Sequence, residues 1–213
     1  WREARLPGAH YAHLDRDLSG AHAPGAGRHP WPAAQAFAAW LQRNGVGPRT
    51  QVVAYDAGDG AFAARLWWLL RCLGHADAAV LDGGWARWNA LGLPVETGAP
   101  HESGTAADAT AHAGADADSA ADLGDPLAGR AFDTRSLLDA DAVRARLDAG
   151  DALIDARAAE RFRGEVEPID RVAGHVPGAL NRPYLQNLRD GRFKRAAELA
   201  AEFAALLAGR GPG

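Results

Sequence analysis

Between residues 50 and 85 the chain reads TQVVAY, then a glycine-bearing turn, then the apolar run FAARLWWLLRCLG, then AAVLDGGW. A short β-branched run, a helix stopped at Gly74 and a second short apolar run cannot form a hairpin, because the intervening helix forces a crossover. Strand, helix and strand in this order predict a parallel α/β sheet flanked by helices. The flanking segments agree with that class. PAAQAFAAWL over residues 32–41 predicts a helix with Phe37, Trp40 and Leu41 on one face, closed by NGVGP. Further on, SLLDADAVRARLDAG predicts an acid-started helix, ALIDAR a strand, and AAELAAEFAALLAGRG a helix with Gly211 near its end. The run AAVLDGGW is read as one short buried strand.

The chain also resembles itself. LPGAHY, beginning at Leu6, recurs as VPGALNRPY beginning at Val176, 170 residues later. FAAWL, beginning at Phe37, recurs as FAALL beginning at Phe203, 166 residues later. Two matches in one order at nearly one offset predict a tandem duplication. Asp56 lies 19 residues after Phe37, so its counterpart in the second copy is expected at about position 222, beyond Gly213. By the same reasoning the counterpart of the LIDAR strand is expected ahead of Trp1. The sequence therefore reads as a window displaced along two repeats, truncated at both ends and with its second domain incomplete. The abrupt start at Trp1 and the absence of methionine point the same way. Losing a central strand is expected to expose apolar sheet edges.

Composition narrows the function. A net charge of −4, with 27 acidic against 23 basic residues, argues against a surface built to neutralise nucleic-acid phosphates. Cys72 is the one cysteine, which excludes an intrachain disulfide framework, and no 18-residue apolar span or secretory signal is present. A cytoplasmic protein acting on a small molecule, with neither nucleic acid nor membrane as partner, is expected. Between Glu96 and Arg130 the composition shifts to Ala, Asp, Gly and Thr without any aromatic residue, which reads as a mobile linker. The expected organisation is a first domain over residues 1–95, a linker over 96–130 and the start of a second domain over 131–213.

The turn YDAGDG between strand and helix directs backbone N–H groups and a helix N-terminus at one spot, which favours an anion. A cysteine placed there would be a stabilised thiolate, and any sulfur it accepted would be held as an anionic persulfide. Asp56 has no comparable chemistry. It reads as a carboxylate that receives those N–H groups and holds the turn.

The stretches LPGAHYAHLDRDLSG, YDAGDGAFAARLWWLLRCLGH, VLDGGWARW, LIDARAAERFRGEVEP and AGHVPGALNRPY resemble the two-domain rhodanese family of sulfurtransferases, which act on thiosulfate or mercaptopyruvate. The resemblance implies tandem rhodanese-like domains. In that arrangement Asp56 marks the loop of an inactive first copy, and the nucleophilic cysteine lies in a loop of the second domain, beyond Gly213. It also implies that Asp155 ends the first strand of the catalytic domain, supporting the site, and that Arg161 lines the site as donor ligand. Arg171 or Arg163 could supply a second clamp, and Arg157 pairs with nearby carboxylates. Sulfur would pass from thiosulfate or mercaptopyruvate through a persulfide to cyanide or a thiol. No metal or organic cofactor is required, and the chain as it stands is expected to be inactive.

Other signals are set aside. Cys72 sits on an apolar helix and reads as core. His10 and His13 lack companion ligands for zinc, and GDG fails the dinucleotide fingerprint at Ala63. Trp67, Trp68, Trp85 and Trp88 read as packing residues. One rival is a non-catalytic rhodanese-like anion-binding or regulatory module, and another is a phosphatase on a similar sheet, for which the Asp56 to Arg65 loop has the wrong nucleophile and spacing.

Overall fold

The structure is a computed structural model that describes residues 3–98, 127 and 129–208. The chain divides into two compact units, one reaching Asp133 and one starting at Thr134.

In the first unit, α1 (Ala34–Arg43) leads to β1 (Val52–Ala54), α2 (Ala61–Cys72), β2 (Ala78–Val80) and α3 (Gly84–Ala90). β1 and β2 pair in parallel with Val52 opposite Ala78, so α2 is the crossover that the sequence pattern demanded. α1 buries Phe37, Ala38 and Leu41, the one-turn spacing that puts them on one stripe, and α2 buries Ala63, Leu69, Leu70 and Cys72. These faces join Leu18, Leu73 and Leu127 in one core. α2 ends where Gly74 turns left-handed at φ +80, letting the His75 N–H reach back to the Leu70 carbonyl at 2.9 Å. That is the helix-ending geometry only a residue without a Cβ adopts freely.

The AAVLDGGW reading needs correction. Only Ala78–Val80 is strand, and all three of its residues are half-buried. Gly83 and Gly84 sit at φ +87 and +51, which ends the strand and starts α3 at Gly84. A Cβ on Gly84 would lie 2.9 Å from the Asp56 carbonyl oxygen, so this close approach also requires glycine.

The ends of the stretch read as linker belong to the first unit. Arg5 and Glu96 exchange main-chain hydrogen bonds at 3.0 and 2.9 Å and pair through their side chains, with the Arg5 side chain buried. Leu127 is core, and Phe132 packs edge-on against Trp31 at 5.1 Å. The Asp133 N–H donates to the Cys72 carbonyl at 2.7 Å. The unit boundary therefore falls after Asp133 instead of after Arg130, because a single aromatic residue, Phe132, has a core to enter. Residues 99–126 lie outside the described residues.

The second unit contains α4 (Ala140–Asp148), β3 (Ile154–Asp155), α5 (Ala159–Phe162), β4 (Leu180–Asn181), β5 (Leu188–Arg189), β6 (Arg192–Phe193) and α6 (Ala196–Leu207). Asp139 caps α4 by accepting from the Ala142 N–H at 2.8 Å, which makes it the acid-started helix that the sequence predicted. β3 and β4 pair in parallel, and β5 with β6 forms an antiparallel hairpin that the strand readings did not include. α6 stops at Ala208, itself at φ +47, and Gly211 lies outside the described residues. Arg182 lies over the Phe203 ring at 5.1 Å and pairs with Glu202, which Lys194 also holds at 2.8 Å. Among the described residues no helix is long and apolar enough to cross a membrane.

Candidate functional site

Two clusters hold the residues that the sequence singled out, one in each unit. In the first, the turn after β1 folds its N–H groups onto Asp56. One carboxylate oxygen accepts from Gly58 at 2.9 Å and Gly60 at 3.0 Å, and the other accepts from Phe62 and Ala63, both at 3.0 Å. Phe62 and Ala63 belong to the first turn of α2, whose leading N–H groups have no partner within the helix. Gly60 at φ +87 aims the turn into the helix. The Asp56 carbonyl in turn receives the Trp85 N–H at 3.1 Å, tying the cradle to α3. Four converging donors and a helix N-terminus make this an anion cradle, and the protein's own carboxylate occupies it.

The tryptophans divide. Trp67 donates its indole N–H to the Ala78 carbonyl at 3.1 Å and Trp88 donates to that of Pro94 at 2.8 Å, while Trp68 is exposed. Cys72 is buried in the first-unit core, and burial, with Asp133 adding to it, pushes its thiol above the ordinary value. A protonated, enclosed thiol is a poor nucleophile.

In the second unit, Asp155, Arg157 and Arg161 enter one network whose centre the sequence reading missed. Glu167, its side chain 5% exposed, accepts from Arg161 Nη2 at 2.8 Å through one oxygen and from Arg161 Nε at 3.2 Å through the other. The Ile169 and Asp170 N–H groups also donate to it, at 3.0 and 2.9 Å. Arg157 lies 3.5 Å from Glu167 and forks onto Asp155, with 2.6 Å between Nη2 and Oδ2. Arg161 Nη2 also reaches Asp170 at 2.9 Å, and Arg157 Nη2 donates to the Gly174 carbonyl at 2.7 Å. Asn181 closes the frame by donating to the Asp155 and Arg157 carbonyls, each at 3.0 Å.

The charges follow from these contacts. Arg161, assisted by the Asp170 N–H, holds the Glu167 carboxyl at about 2. Arg157 lowers Asp155 against the opposing effect of burial, and Asp155 raises Arg157. Two guanidinium groups face three carboxylates, and Arg161 is paired with Glu167 and Asp170. Arg163 lies outside the network, forked onto Glu165 at 2.7 and 2.8 Å. Arg171 is exposed and makes no hydrogen bond or ion pair with any described residue. The signal for Glu167 was present in the sequence as an acid six residues from Arg161. Only the loop's path shows that it turns inward.

Comparisons with known proteins place this geometry. The family described as "Rhodanese-like domain" matches residues 1–91. A probable 3-mercaptopyruvate sulfurtransferase of Pseudomonas aeruginosa is 45% identical over 99% of this chain and 68% of its own length. The chain belongs to the rhodanese family of sulfurtransferases. A second family member, a putative thiosulfate sulfurtransferase of Mycobacterium tuberculosis, is 39% identical over 85% of this chain and 57% of its own length. The crystal structure of the 3-mercaptopyruvate sulfotransferase SseA from Escherichia coli, 30% identical, matches with a TM-score of 0.70 over 99% of this chain and 69% of that one. This rhodanese-family chain thus spans only part of the length of the relatives it matches.

Proposed function

We propose that this protein serves sulfur transfer from a small anionic donor, mercaptopyruvate or thiosulfate, through a cysteine persulfide to cyanide or a thiol. The observation that carries the reading is the cradle at Asp56, a strand-to-helix turn with four N–H donors aimed at one negative charge. In such a turn a thiolate or persulfide replaces the carboxylate, and the relatives named above supply the class of chemistry. The thiolate attacks the outer sulfur of the donor and an S–S bond forms. The donor's own bond to that sulfur breaks, releasing sulfite or the enolate of pyruvate, and the acceptor then takes the sulfur and restores the thiolate.

The first unit is not the centre of this chemistry, because Asp56 already fills its cradle. Cys72 cannot replace the nucleophile, since it is enclosed and its thiol is pushed up. The reacting cysteine therefore lies outside these 213 residues, and the 213-residue chain by itself turns over neither donor. In the second unit the donor anion binds at Arg161. Of its two carboxylate partners Asp170 is the displaceable one, at 44% exposed against 5% for Glu167. Arg171, next in sequence and exposed, with no partner among the described residues, supplies the second cation.

The test is an assay of the 213-residue chain and of the full gene product for pyruvate release from mercaptopyruvate and thiocyanate formation from thiosulfate and cyanide. Turnover in the full product alone, with KM for the donor raised at least about tenfold by Arg161→Ala, is the expected result. A full product without turnover, or an Arg161→Ala variant with unchanged KM, refutes the assignment.

A further inference from the structure

The Arg161 guanidinium offers two edges to an anion, and Glu167 and Asp170 occupy them unequally. The edge shared by Nε and Nη2 is filled, with one Glu167 oxygen on Nε at 3.2 Å and the other on Nη2 at 2.8 Å. Nη2 carries two hydrogens, and the one that Glu167 leaves points to the side of Nη1. Asp170 Oδ2 accepts it at 2.9 Å. Nη1 itself makes no hydrogen bond with any described residue. The edge shared by Nη1 and Nη2 fits an anion that presents two oxygens side by side, yet a single carboxylate oxygen holds it.

The two carboxylates also differ in how firmly they are placed. The Glu167 side chain is 5% exposed and receives the Ile169 and Asp170 N–H groups at 3.0 and 2.9 Å. These bonds fix Glu167, and through it the plane of Arg161. The bond from the Asp170 N–H also anchors the Asp170 backbone, whereas its side chain is 44% exposed. Rotation of that side chain into water therefore opens the edge without moving the main chain. The opening breaks one hydrogen bond on Arg161, and an anion with two oxygens forms two in its place.

We propose that Asp170 is an internal competitor that occupies the donor's place on Arg161 and so sets how tightly the protein holds its donor, an inference that rests on the reading of Arg161 as donor ligand. The carboxylate or sulfonate oxygens of the donor take the edge shared by Nη1 and Nη2, while Glu167 keeps the other edge and holds the guanidinium in plane. Donor affinity is reduced by the fraction of time for which Asp170 closes that edge. Removing the competitor tightens binding, the opposite of what damage to a structural ion pair does.

The test is KM in the full gene product for mercaptopyruvate and thiosulfate, together with calorimetric titration by pyruvate, a carboxylate that carries no sulfur to transfer. Asp170→Ala is expected to lower KM and to tighten pyruvate binding at least about threefold, the size expected of a partly exposed ion pair. Asp170→Asn, which keeps the shape and loses the charge, shifts both in the same direction and replaces the alanine variant if that one folds poorly. Asp170→Glu restores the competing charge and returns KM toward that of the unaltered protein. Glu165→Ala removes an equal charge from the same loop, but from a residue paired with Arg163 and not with Arg161. A KM that is unchanged or raised in both Asp170→Ala and Asp170→Asn, while Arg161→Ala raises it, overturns the competitor and leaves Arg161 as donor ligand. An equal gain in Glu165→Ala overturns it in favour of a general effect of charge. Unchanged KM in Arg161→Ala refutes the donor site itself, and the competitor with it.

Discussion

Replacing Asp56 by cysteine tests whether the first-unit cradle stabilises a negative charge. Four N–H groups lie 2.9 to 3.0 Å from the carboxylate oxygens, two on each. A single sulfur cannot reach both oxygen positions, so two of the four donors remain useful to it. A hydrogen bond to a charged acceptor exceeds one to a neutral acceptor by about 1 kcal/mol, giving about 2 kcal/mol in favour of the thiolate. The N-terminus of α2 adds about 0.5–1 kcal/mol. At 1.36 kcal/mol for each pKa unit, the introduced thiol should titrate about two units below the ordinary ~8.5, at roughly 6.5. The assay is thiolate absorbance against pH together with the pH dependence of alkylation by iodoacetamide, and buried Cys72 should stay silent in the alkylation. A folded variant whose introduced thiol titrates at or above the ordinary value would show that these N–H groups do not act together on a side chain at this position.

Two further expectations follow from the charges and burial of the two units. Arg161 holds Glu167 at about 2, below its ordinary 4.5, so this pairing stabilises the fold fully above about pH 4.5 and is lost as pH falls toward 2. Urea midpoints measured from about pH 6 down to about pH 2.5 should fall less steeply in Glu167→Gln than in the unaltered protein, and equal slopes would show that the pairing contributes nothing. Asp155, lowered by Arg157, adds acid sensitivity of the same sign in both proteins. Cys72 should react with a disulfide reagent at least about a hundredfold more slowly in the native protein than in urea, because reaction requires opening of the core. Rapid native-state labelling would place it at the surface.

Much of this protein was legible in its sequence because the signals are local. TQVVAY, a turn, FAARLWWLLRCLG and AAV specify a parallel pair joined by a helix through periodicity alone, and Gly74 stops that helix for a reason confined to its own backbone. The two PGA turns, 170 residues apart, fold alike for the same local reason. A tertiary structure was needed wherever the decisive partner lies far along the chain or on a loop of irregular path. Phe132 joins the first unit because Trp31 and Phe37 are there to receive it, which composition on either side of residue 130 could not express. Arg161 looked like a free anion ligand because a guanidinium beside a strand end suits a donor carboxylate. Whether it stands open depends on the loop that buries Glu167 against it, and such loops are set by the sum of their hydrogen bonds, not by any sequence period.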